Sequence, residues 1–160
     1  HPPVRITHYN KITKDVTRQF AYPLDYIKRP SKGKLNMNGV TAMLEFEKDK
    51  FFIVERSFQS GYGINGNVVK IYKIVLDETI TNTFNIKSLK INKYIPVKKE
   101  LVFDFDSVRS QLTDGIIDNI EGITLGPKLL NGNSSLILVT DDNFQKHGKQ
   151  LNQFIMLEIK

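Results

Sequence analysis

The chain has 160 residues, 40% of them apolar and 25% charged, which suits one globular domain and excludes disorder along the whole length. With no cysteine, and histidine only at His1, His8 and His147, disulfide frameworks, thiolate zinc sites, cysteine nucleophiles and a multi-histidine metal centre fall away; the longest apolar runs, such as Leu136 to Val139, suit strands and not a membrane span. The net charge of +6 gathers in residues 1–99, with eighteen Lys/Arg against eight Asp/Glu, but the cations stand almost singly with no recognition helix, which disfavours nucleic acid and favours solvated loops and edge strands.

Period-two patterns dominate the chain. Val4 to Tyr9 alternates, and Val16 to Leu24 has strand composition. A loop rich in Pro, Ser, Gly, Lys and Asn follows at 28–38. Val40 to Glu47 and Phe51 to Phe58 read as a hairpin turning at Lys48-Asp49-Lys50, and Asn67 to Leu76 as a third strand. Residues 77–99 mix Thr, Asn and Lys with isolated Ile and Leu and read as an insertion or long connection. Alternation resumes at 100–106, after which Asp106 or Ser107 is positioned to cap one short helix ended by Gly115. Three more strands follow, at 120–125, 135–140 and 151–159. The class is all-β, with at most one short helix.

The second half echoes the first. Gly39 to Leu44 followed by Phe52-Ile53-Val54-Glu55-Arg56-Ser57-Phe58 is matched by Asn119 to Thr124 followed by Leu138-Val139-Thr140-Asp141-Asp142-Asn143-Phe144. Each is a hairpin whose second strand ends in a charged pair, and each leads through a polar loop to a further strand. Repeated antiparallel units of this kind suit propeller blades. On that count 39–106 is one complete four-stranded blade, the C-terminal unit supplies three strands and the N-terminal stretch two. Too few blades are present to close a ring, so 1–160 reads as a single β domain forming the C-terminal portion of a longer or processed chain. Its open faces would be covered by further blades or by a partner chain.

Asp118-Asn119-Ile120-Glu121-Gly122-Ile123-Thr124-Leu125-Gly126-Pro127, then Leu136 to Phe144, resembles the closing segment of the phytase-like family, whose members are labelled "esterase-like activity of phytase". Phe52 to Phe58, Val69 to Ile74 and Ala21 to Asp25 resemble the segments before it. The likeness touches most of 18–160 and is patchy at 77–100. It implies a propeller-like fold in an exported bacterial protein and a hydrolase acting on phosphoesters or esters.

Within that frame the carboxylates are the best candidates for chemistry. If 120–125 and 135–140 are antiparallel neighbours, Asp141 and Asp142 fall beside Asp118 and Glu121. Together with the Asn119 or Asn143 carbonyls, this set would suit Ca²⁺, which takes hard oxygen ligands, and bound calcium would polarise a phosphoryl oxygen. Glu121, Glu55 and Asp141 are the candidate catalytic groups, and Arg56 and Asn143 the candidate contacts to a small anionic or ester substrate. Plainer readings stand beside these. Asp142 and Asn143 would close a turn, Glu121 would pair with a cation, and Arg56 would form a salt bridge to Asp141 or Asp142. The whole unit would then be a noncatalytic binding or scaffold module. Phe58 and Phe144 read as packing residues between blades. Gly61-Tyr62-Gly63-Ile64-Asn65-Gly66 satisfies a nucleotide-loop pattern, but it leads into a strand where such a site needs a helix, so it reads as a hairpin loop.

Overall fold

Phe52, Ile53 and Val54 are consecutive, and all three are buried. Successive side chains of a strand point to opposite faces, so a strand carrying this run has to be covered on both sides. A computed structural model, describing residues 3–27, 29–145 and 148–159, shows how. His1 and His147 lie outside the described residues.

Among the described residues, nine strands form three antiparallel sheets. The first pairs β1 (Val4–Tyr9) with β2 (Val16–Tyr22). The second is β3 (Asn36–Glu47), β4 (Lys50–Gln59), β5 (Asn67–Val75) and β6 (Lys99–Asp104), neighbours in chain order. The third is β7 (Asn119–Leu125), β8 (Ser134–Asp141) and β9 (Phe154–Ile159). The expected four-stranded unit is therefore present, with β3 starting inside the stretch read as a loop. β9 starts three residues later than expected.

The second sheet is the middle layer. Even positions of β4 and odd positions of β5 (Phe52, Val54, Val69, Ile71) pack with Phe105, Ile117, Ile120, Leu136 and Leu138 towards the third sheet. The opposite parities (Ile53, Tyr72, Ile74) pack with Phe20, Tyr22, Ile80 and Val97 towards the first. Each fully buried aliphatic or aromatic side chain contributes about 1.5–3 kcal/mol relative to exposure. Sheets stacked face to face in this way have the relationship of successive propeller blades, although the described residues do not close a ring. On the far side of the third sheet, Phe154 and Met156 are exposed.

The long connection 76–98 has no strand of its own. It covers the edge of β2 that β1 leaves unpaired: the Thr83 and Val97 N–H groups donate to the Gln19 and Ala21 carbonyls at 2.8 and 3.0 Å. Arg5 ties it down by donating to the Thr83 carbonyl at 2.7 Å and to that of Ile86. Covering an edge in this way blocks further strand pairing there.

Helical structure among the described residues is confined to short 3-10 turns, the longest Phe105–Gln111. Its cap is Asp104, whose side chain accepts the Asp106 N–H at 3.0 Å, and not Asp106 or Ser107 as the sequence suggested. No helix of the described residues is long and apolar enough to cross a membrane. The glycine-rich segment joins β4 to β5 through a 3-10 turn, as a hairpin loop. At Gly61 the backbone has φ +89°, and a Cβ would meet that of Lys32 at 2.7 Å, so glycine is required for the turn and the close approach.

Candidate functional site

Strand parity separates the two charged neighbours of β4. Arg56 has the parity of Val54 and faces the third sheet, whereas Glu55 has that of Ile53 and faces the first. Glu55 therefore does not orient Arg56, and only Arg56 reaches the cleft between the second and third sheets.

That cleft, about 170 Å³, is lined by Leu35, Met37, Arg56, Phe58, Asn67, Asn119, Glu121, Asn143 and Gln150. It lies where β3, β5 and β7 begin and β4 and β8 end. A second cavity of about 150 Å³ shares Phe58, Asn67 and Gln150 with it and continues towards Asp118 and Lys149. Phe58 is thus a wall of the cleft, while Phe144, expected as a packing residue, is 86% exposed.

A β-bulge places Glu121. β7 and β8 pair Ile120 with Thr140 and Gly122 with Val139, which leaves Glu121 as the extra residue. Bulges re-aim side chains in this manner. β3 has the corresponding bulge at Thr41, between the pairs Val40–Glu55 and Ala42–Val54. Superposing the bulges makes Arg56 equivalent to Asp141 and Glu55 equivalent to Thr140. The sequence echo is therefore out by one residue in its second strand, enough to exchange the two faces.

Glu121 accepts a hydrogen bond through Oε1 from the Asn119 side-chain amide. Asn119 is 3% exposed, and its own Oδ1 is buried without a hydrogen-bond partner. Burial pulls the Arg56 guanidinium down from its ordinary pKa, and the charges of Glu121 and Asp118 oppose that pull. The guanidinium makes no direct ion pair with Asp141 or Asp142, so the expected inter-blade salt bridge is not formed.

The carboxylates read as a calcium set do not assemble into one. Asp118 is 1% exposed, and its Oδ1 accepts from the Asn119 N–H at 2.8 Å and the Gln150 amide at 2.9 Å. Its Oδ2 accepts the Leu151 N–H. Asp141 and Asp142 accept the Asn143 and Phe144 N–H groups, each at 3.0 Å, and hold both residues at positive φ. These are turn-closing bonds, the plainer of the two readings. Among the described residues no three His, Asp or Glu side chains come together to hold a metal. The donor set does not fit Ca²⁺, which needs six to eight convergent oxygens.

Glu55 belongs to a separate buried cluster. It is 4% exposed and accepts from Tyr22 Oη at 3.0 Å, Lys99 Nζ at 2.7 Å and the Asp25 N–H at 2.5 Å. Lys99 also pairs with Asp25 at 2.6 Å, and Lys70 with Asp25 at 2.7 Å, while Tyr72 donates to the same carboxylate. Two cations balance two anions beneath two tyrosine rings, joining the first sheet to the second. Burial pushes both tyrosine hydroxyls well above their ordinary range, and the neighbouring carboxylates push the same way.

Of the candidates, then, Arg56, Glu121 and Asn143 share the cleft. Asp118 lines the adjoining cavity, Asp141 and Asp142 shape the turn that carries Asn143, and Glu55 is on the far side of the sheet. Leu35, Met37, Asn67 and Gln150 were not anticipated. Leu35 and Met37 lie in or beside the stretch read as a loop, and Gln150 has no motif around it.

No curated protein and no solved structure matches the chain. The sequence model of the Phytase-like family, described as "esterase-like activity of phytase", matches residues 1–144. That span takes in the β1–β2 hairpin, the middle sheet, the Glu121 bulge and the cleft's lining apart from Gln150, and so the chain belongs to the phytase-like family.

Proposed function

We propose that the cleft hydrolyses an ester bond, carboxylic or phosphoric, of a small substrate. The observation that carries this reading is a guanidinium that forms no ion pair among the described residues, beside an exposed carboxylate in one cavity, on a chain whose family is described as esterase-like. Glu121 takes a proton from water as its oxygen attacks the acyl carbon or phosphorus. Arg56 holds the oxyanion that develops there. As the ester bond breaks, the leaving oxygen takes the proton back from Glu121. The Asn119 amide fixes the Glu121 carboxylate, and Asn143 lines the wall against which the substrate rests.

The test is turnover of p-nitrophenyl phosphate and p-nitrophenyl butyrate by the whole chain and by Glu121→Gln and Arg56→Gln. Loss of a general base lowers turnover by about 10²–10⁴-fold, with the melting temperature unchanged. Absence of turnover in the wild type, or equal rates in all three proteins, overturns the reading. The Glu55–Lys99–Asp25 cluster favours a second reading, a noncatalytic module whose charged groups serve only to join its sheets. That reading predicts no turnover at all, together with large stability losses at Lys99.

A further inference from the structure

Among the described residues, four side-chain amides line the cleft, and they are not equivalent. Asn119 gives its NH₂ group to Glu121, and Gln150 donates to Asp118 at 2.9 Å. Asn143 stands in the turn after β8, at positive φ. Asn67 is the half-buried first residue of β5. Its side-chain amide has no hydrogen bond among the described residues, and both atoms of that amide keep accessible surface. Its main chain, by contrast, is held: Asn67 pairs with Phe58 in the β4–β5 ladder, and its carbonyl accepts from Arg109 at 3.3 Å. A donor on such a strand is placed more firmly than one on a turn.

Register sets that amide beside Arg56. β4 and β5 pair Arg56 with Val69 and Phe58 with Asn67, so Arg56 and Asn67 are diagonal neighbours on the face turned to the third sheet. Diagonal residues of an antiparallel pair stand about 7–8 Å apart, within reach of long side chains. A ligand oxygen between them meets the guanidinium of one strand and the amide of the next. Glu121 faces the same space from β7, and in a cleft of about 170 Å³ one small group comes within reach of all three.

Resting on the ester-cleft reading above, we propose that Asn67 is the second donor to the anionic oxygen that Arg56 holds. As the water oxygen bonds to the acyl carbon of a carboxylic ester, the electron pair of the C=O bond moves onto the carbonyl oxygen, which accepts from Asn67 Nδ2–H and from Arg56. The pair returns to the C=O bond as the leaving oxygen departs with the proton from Glu121. A hydrogen bond to an ionised oxygen is about twice as strong as one between neutral groups, so the Asn67 bond favours the transition state over the bound ester.

The test uses the whole chain with Asn67→Leu and Asn67→Asp, two variants of nearly native side-chain size that remove the donor. Whichever of p-nitrophenyl butyrate and p-nitrophenyl phosphate the wild type turns over, kcat/KM should fall about 10²-fold in both variants, the effect of losing one oxyanion donor. With the butyrate the fall should lie in kcat and not in KM, because the bond is made to a charge that only the transition state carries. The melting temperature should stay in place. Rates equal to the wild type in a folded variant, or loss of folding in both variants, overturn the proposal and leave the ester reading standing. Calorimetric titration with ethyl butylphosphonate, a singly charged tetrahedral anion, decides the case of a wild type without turnover. Binding weakened about ten-fold by Asn67→Leu, the effect of one hydrogen bond to a charged acceptor, would leave Arg56 and Asn67 standing as an anion clamp and remove the catalytic reading. No binding, or equal binding, would overturn both.

Discussion

Glu55 and Arg56 are joined by a peptide bond and work on opposite sides of one sheet. Glu55 is held by Tyr22, Lys99 and the Asp25 N–H against the first sheet, whereas Arg56 lines the cleft against the third. The pleat puts them there: successive residues of a strand alternate faces, so a charged pair that reads as one motif supplies two separate devices.

The Glu55 device is structural. Replacing Lys99 by Met leaves the buried Glu55 carboxylate, and part of Asp25, without its cation. Removing one partner of a buried pair costs about 3–5 kcal/mol. Urea denaturation of Lys99→Met should show a loss of that size, partly recovered when Glu55→Gln is added. A loss below about 1 kcal/mol would mean that the cluster does not join the sheets.

Asp25 gives the same cluster an acid limit. Burial pushes its carboxyl up, but hydrogen bonds from Lys70, Lys99 and Tyr72 and the charge of Lys99 outweigh this and hold it well below the usual carboxylate range. A carboxyl whose pKa is lowered on folding contributes stability above its unfolded value of about 3.9 and loses it as pH falls towards the folded value. Melting temperature followed from pH 5 to pH 2 should therefore fall more steeply in the wild type than in Asp25→Asn. Parallel curves would contradict the assignment.

Arg56 should behave in the opposite sense to Lys99. Its guanidinium is desolvated and has no direct ion pair among the described residues, a costly arrangement that sites of function tolerate. Arg56→Met is expected to raise the melting temperature while abolishing turnover. A lowered melting temperature would mark Arg56 as a structural tie between the sheets.

Gln59 is fully buried, and both atoms of its side-chain amide lack partners. Replacing a buried unsatisfied polar group by an apolar one of similar size removes a desolvation cost of about 1–3 kcal/mol. Gln59→Leu should therefore shift the urea midpoint upward without changing activity. A downward shift would show that the amide is hydrogen-bonded in solution.

Calcium should have little effect. A ligand that binds only the folded state at 100 times its Kd adds about 2.7 kcal/mol of stability. With Asp118 engaged by three donors and Asp141 and Asp142 closing turns, millimolar calcium or a chelator should leave the melting curve in place. A rise of several degrees with calcium would show that these turns reopen around the ion.

Strand after strand was legible in the sequence because alternation is a local property. Val16 to Tyr22, Phe52 to Phe58 and Leu136 to Thr140 declare themselves, and the grouping of 40–106 into one four-stranded unit followed from their order. The family was legible too, through the ordered Glu-Arg, Glu-Gly and Asp-Asp-Asn segments. The pairing of Asn119 with Asp141 also follows from the hairpin. What alternation does not reveal is a bulge. One extra residue at Glu121, and one at Thr41, shifts the equivalence of the two units and re-aims a carboxylate, with no mark in composition.

The amino-acid sequence by itself determined that this is an all-β chain of repeated antiparallel units, without thiol chemistry and with carboxylates and arginine as its candidate reactive groups. Only the tertiary structure decided which of those groups meet. Arg56 and Glu121 share a cleft because two sheets stack there, and Glu55 is excluded because the pleat turns it away. Asp118, Asp141 and Asp142 each accept backbone N–H groups and do not converge on one point among the described residues. Period-two alternation set the class. The site brings Arg56 of one sheet together with Glu121 of another, a meeting of residues distant in the chain that no local pattern encodes.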